Sequence, residues 1–230
     1  MRSVKLTETI DCPHGCGPFE AERWSFINVS QDPQLKEAVL GGELNLLRCE
    51  QCHHFFYSEG DLIYLDEDAQ LLIFVFARCS RAKQKELTAK MQRDYQLLKE
   101  SLLQKIHLDF GPICVFGPEE LKDVIEKEDQ RNDESQVIAA AAAALGLQVA
   151  RLVPQWAREN NFPLYVPAGA DETAKSFAGS ARKVLESGLK SPLLKHFAEK
   201  MKGDGASAPK VYDDTEETKG SITRHRQVCR

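Results

Sequence analysis

Four cysteines pose the chemical question of this chain. Cys12 and Cys16 stand in CPHGC, and Cys49 and Cys52 stand in CEQC, with residues 17–48 between the pairs. Structural zinc takes thiolates at tetrahedral corners, each pair delivered by a knuckle with two to four intervening residues. A knuckle works because its backbone N–H groups point back at sulfur and offset the negative charge there. It also needs a residue in a left-handed or tight conformation after the second thiol. Gly17 supplies one without a Cβ penalty. His53 holds the corresponding place in the second pair, and histidine is among the few other residues that visit positive φ. The spacing therefore predicts a Zn2+ site on Cys12, Cys16, Cys49 and Cys52. The alternatives are ordinary buried thiols and a Cys12–Cys16 redox disulfide, which leaves Cys49 and Cys52 needing a separate account. His14, His53 and His54 crowd the same loops. They are expected beside the ligands or in solvent, with replacement of one thiolate by an imidazole as the other option. Cys79 and Cys114 end apolar runs and read as core thiols, and Cys229 reads as exposed and incidental.

Bulk properties narrow the compartment and the partners. The 230 residues, 42% of them apolar, suffice for one sizeable domain or two small ones. The start, MRSVKLTETI, has no apolar core or cleavage pattern of a secretory signal, so a cytoplasmic location is expected. In a reducing cytosol seven cysteines are not a disulfide framework, which again favours metal. The apolar run Val137–Val153 is too short and too polar to span a bilayer. Net charge is −5, and residues 119–134 alone carry eight acids against three bases. No basic block appears outside the terminal RHRQVCR, so nucleic acid is not an expected partner. The chain has no HExxH, P-loop, GxGxxG, GxSxG or zinc-deaminase signature. Four thiolates also close a zinc shell that catalysis would need open.

The surrounding elements must bring the two pairs together. Phe19–Val29 alternates like a half-buried strand, and SQDPQLKEAVLGG reads as a short helix, entered at Ser30 or Asp32 and stopped at Gly41-Gly42. ELNLLRC leads a strand into the second pair. DLIYLDEDAQLLIFVFA reads as a hairpin turning at Asp66-Glu67-Asp68. Leu87, Met91, Tyr95, Leu98, Leu102 and Ile106 make the stripe of an amphipathic helix over 80–107. That stripe is expected to pack on its own core, with a partner surface as the alternative. GPICVFG reads as a strand and PEELKDVIEKE as a helix. Helical blocks follow over about 135–160, broken near Pro154, and about 171–201, weakened at Gly179, Gly188 and Pro192. Residues 203–230 have little to bury. Their alternating acidic and basic patches are typical of a segment that orders on a partner.

The stretch Leu6–Ala77 resembles the CpXC domain, a prokaryotic family named for its cysteine motifs. The similarity lies in the Cys-Pro start, the aromatic strand, DPQLKEAVLGGELN, the second cysteine pair and LIYLDEDAQLLIFVF. LKDVIEKEDQRNDESQVI extends it more faintly, so that it covers about residues 5–135. By position the family's cysteines fall on Cys12, Cys16, Cys49 and Cys52. The first motif carries one extra residue, and the second lacks the usual glycine. The resemblance implies a fold and a zinc site, not an activity.

The expected architecture is α+β: a small zinc-ribbon-like antiparallel β domain with an inserted helix (1–135), a helical extension (136–202) and a flexible partner-binding tail (203–230). The expected role is a non-catalytic protein-binding module, an accessory or scaffold subunit of a larger assembly. Its protein partners would be met through the tail and the 80–107 helix. A nucleic-acid-associated zinc ribbon and a zinc-dependent enzyme are the alternatives.

Overall fold

A computed structural model of the protein describes residues 2–102, 110–171, 173–203 and 206–212. The chain divides into two compact units, residues 1–130 and 131–230.

The first unit is a mixed sheet with helices on both faces. Strands β1 (Val4–Asp11) and β2 (Pro18–Asn28) form a long hairpin. Helix α1 (Gln34–Leu40) follows, then a small separate hairpin of β3 (Leu46–Arg48) and β4 (Phe55–Tyr57). Strands β5 (Leu62–Asp66) and β6 (Leu71–Phe76) make the hairpin expected from their sequence. After a 3-10 turn over Arg78–Lys83 come α2 (Gln84–Leu102), β7 (Ile113–Phe116) and α3 (Pro118–Ala144).

The strand order is β1-β2-β5-β6-β7. The architecture is α+β, but the sheet is not purely antiparallel: β2 pairs with β5, and β6 with β7, in parallel. Sequence patterns register hairpins between neighbours. Parallel pairing instead needs a crossover of a dozen or more residues. Here α1 with the β3–β4 hairpin forms one crossover, and α2 the other.

Burial on both faces explains the unbroken LLIFVF of β6, every residue of which is buried. Leu72, Phe74 and Phe76 join Phe26, Met91, Tyr95 and Phe116 in the core under α2. Leu71, Ile73 and Val75 face the other way, onto Leu35 and Val39 of α1 and Leu121 and Ile125 of α3. The stripe of α2 is thus used on its own core at Met91 and Tyr95, while Ile106 lies outside the described residues.

Helix α3 runs without a break through the sequence-based boundary at 135, and the units part at 130/131. In the second unit the expected helical block over 135–160 is corrected. Gly146, at φ +68°, ends α3, and strand β8 (Val149–Arg151) intervenes before α4 (Pro154–Asn160). Strand β9 (Tyr165–Pro167) pairs with β8. The 171–201 block resolves into α5 (Ala174–Glu186), capped by Thr173, and α6 (Pro192–Met201), capped by Ser191. Ile138, Leu152, Phe162, Val166, Phe177 and Phe197 fill the core.

The expected tail starts too early. Val153 N–H donates to Lys210 C=O at 2.9 Å, and Tyr212 N–H donates to Arg151 C=O at 2.7 Å, so 210–212 add to the β8 edge. Residues 213–230, including Cys229, lie outside the described residues. Among the described residues no helix is long and apolar enough to cross a membrane.

Candidate metal centre

Both cysteine pairs sit in hairpin loops, and the two loops are built alike. The β1–β2 ladder ends at Asp11↔Pro18, leaving residues 12–17 as its loop. The β3–β4 ladder ends at Arg48↔Phe55, leaving residues 49–54. Each loop opens on a cysteine whose N–H closes it. Cys12 donates to Gly17 C=O at 3.3 Å and Cys49 to His54 C=O at 2.9 Å.

The two loops are equal in length although their thiols are unequally spaced. The residue after each second cysteine is left-handed, with Gly17 at φ +99° and His53 at φ +58°. The extra residue of the first motif is absorbed by Gly15, also left-handed at φ +76°, whose N–H donates to Cys12 C=O at 2.9 Å. An L-residue with a Cβ is disfavoured there.

The sulfurs of Cys12, Cys16, Cys49 and Cys52 lie within 4.8 Å of one another. Cys12 and Cys49 are buried, Cys16 is half-buried and Cys52 is exposed. A tetrahedral ion with bonds of about 2.3 Å to sulfur separates its ligands by about 3.8 Å. The Cys12–Cys52 sulfur distance is 3.7 Å. The donor set therefore fits one ion of that size.

The electrostatics are those of a cation site. His14 N–H donates to Cys12 Sγ at 3.4 Å. The N–H groups of Cys52 and Gln51 reach Cys49 and hold its thiol down to about 7. Cys16 moves the other way. Hydrogen bonds to the Cys52 and Cys12 sulfurs, with burial, push it up to about 12. Adjacent thiolates cannot all ionise without a positive charge between them, and a divalent ion supplies one.

Aromatic contacts fasten one loop to the other. The His14 and His54 rings stack with centroids 3.8 Å apart, and Phe19 meets Phe56 edge-on at 6.1 Å. The histidines were visible in the sequence as neighbours of the thiols, whereas the Phe19–Phe56 contact carries no sequence signal. Cys79 is exposed, unlike the core thiol expected there, and Cys114 is half-buried.

No curated protein and no solved structure matches the chain. A family model does: that of the CpXC protein, over residues 10–137, the stretch that holds both loops and strands β2 to β7. Because that match spans more than half of the chain, this protein belongs to the CpXC family.

Proposed function

We propose that Cys12, Cys16, Cys49 and Cys52 hold one Zn2+ as a structural ion. On this reading the protein is a non-catalytic, cytoplasmic accessory subunit that acts by contact with other proteins. The observation that carries the reading is the convergence of four sulfurs within 4.8 Å, a complete ligand set that leaves no coordination position for water or substrate. Bound there, zinc supplies positive charge and a cross-link between the loops. The β3–β4 hairpin has three residue pairs, too few to persist alone. Cross-linked, it presents Leu46, Phe55 and Tyr57 to solvent, with Phe55 58% exposed. Alternate residues of paired strands share a face, so these three and Arg48 form one outward surface suited to a protein partner. The segment beyond residue 212 is the second contact element in this reading.

Metal content of the purified protein and Co2+ exchange test the ion. One equivalent per chain, with the absorption of a tetrahedral all-thiolate cobalt site, is the expected result. Mixed nitrogen–sulfur ligation or a bound water would move the reading toward catalysis. Affinity capture with the full chain, a chain ending at residue 212 and Phe55→Ser tests the contact role. An unchanged partner set in both variants would overturn it.

A further inference from the structure

The second unit contains an open cavity of about 570 Å³, lined by Gln136 and Ala139 of α3, Val149 and Arg151 of β8, and Tyr165 of β9. Ala139 contributes only a methyl group to its wall, which keeps the space open. The volume falls in the range of small-molecule sites.

Arg151 is the unusual member. Its Nε is buried and has no hydrogen-bond partner among the described residues. Arg23, Arg78 and Arg81 each pair with a carboxylate, whereas Arg151 makes no ion pair among the described residues. The Tyr212 ring lies 4.7 Å from its guanidinium carbon, and the Tyr212 N–H holds the Arg151 carbonyl. One face of the guanidinium is therefore stacked, and among the described residues its planar fork has no acid. Nε itself is shut off from the cavity, but Arg151 is half-buried and lines it, and a guanidinium with no acid among the described residues favours an anionic ligand there.

The lining states what that ligand is. It holds one cation, an amide, a phenol and no carboxylate. A guanidinium fork matches a planar carboxylate in geometry. A phosphate dianion would call for further cations, and none lines the cavity. Ala139, Val149 and the Tyr165 ring offer the apolar wall for a hydrocarbon body. We propose that this cavity binds a small organic monocarboxylate, with its carboxylate on Arg151 and its apolar part against Ala139 and Val149.

Amide NMR titration of the full chain with benzoate, benzamide and inorganic phosphate tests this. Benzoate is expected to shift the amides of residues 136–139, 149–151 and 165 saturably in the millimolar range. Benzamide and phosphate should bind at least about tenfold more weakly. Arg151→Gln should weaken benzoate by about tenfold or more, and Ala139→Leu, which adds bulk to the apolar wall on the far side from the Arg151–Tyr212 stack, should weaken it severalfold. No saturable shift with benzoate, equal binding of phosphate, or undiminished binding by Ala139→Leu each overturns the proposal, whether or not Arg151→Gln folds.

Discussion

Removing the metal should open the two loops and leave the sheet standing. The small hairpin is held by the pairs Leu46↔Tyr57, Leu47↔Phe56 and Arg48↔Phe55, with Cys49 N–H bonded to His54 C=O beyond them. A two-stranded ladder of that size opens at almost no cost in water. With an ion on all four sulfurs, the same opening must break metal–thiolate bonds, and structural zinc contributes on the order of 10 kcal/mol. The ceiling on any opening is global stability, about 5–15 kcal/mol. The metal-dependent difference at the Cys49, His53 and Phe56 amides is therefore at least about 4 kcal/mol, or about a thousandfold in protection. Strand β6 draws on neither loop, since its six residues are buried between two helical layers. Hydrogen exchange with and without a strong chelator, under reducing conditions, reads both regions at once. Chelation that speeds β6 exchange as much as loop exchange would show that the ion holds the whole unit, and the reasoning would fail. No change at the loops would refute the metal itself.

Three further outcomes follow from single side chains. The Tyr64 hydroxyl is buried without a partner among the described residues, so Tyr64→Phe should raise stability by about 1 kcal/mol in urea denaturation, and a loss of that size would reveal an unseen partner. Burial raises the Asp66 carboxyl above its ordinary value, so its folded-state cost is present above the folded pKa and vanishes below the ordinary carboxylate range. Asp66→Asn keeps an acceptor for the Ala69 N–H and should be more stable than the parent at neutral pH. That advantage should fade as pH falls toward about 4. His53 sits at φ +58°, so His53→Gly should stabilise the second loop by about 0.5–1 kcal/mol and leave zinc content unchanged, whereas loss of zinc would make the imidazole a ligand.

Local chemistry was legible in the sequence, and distant pairing was not. The left-handed places at Gly17 and His53 followed from what must come after a second thiol. The β5–β6 hairpin followed from two apolar runs around Asp66–Asp68. Strand β1 left little trace, because its side chains are largely exposed and its hydrophobic content is low. The parallel pairs β2/β5 and β6/β7 join segments whose partners no periodicity names. Strands β8 and β9 are three residues each, too short to alternate visibly, and VARLVP read as part of a helix. The cavity beside Arg151 depends on that missed pairing, so no motif could announce it.

Strands β2 and β5 lie side by side, so everything from residue 29 to residue 61, the second loop included, leaves the sheet and returns to the same place. A chain growing from its amino end thus releases Cys12 and Cys16 before Cys52 can join them, and before β5 can anchor the excursion that carries it. During that interval the first two thiols have only each other. On the proposal that the four thiols hold one ion, a premature bond between them would consume half of the ligand set, and biosynthesis would call for reductant before metal.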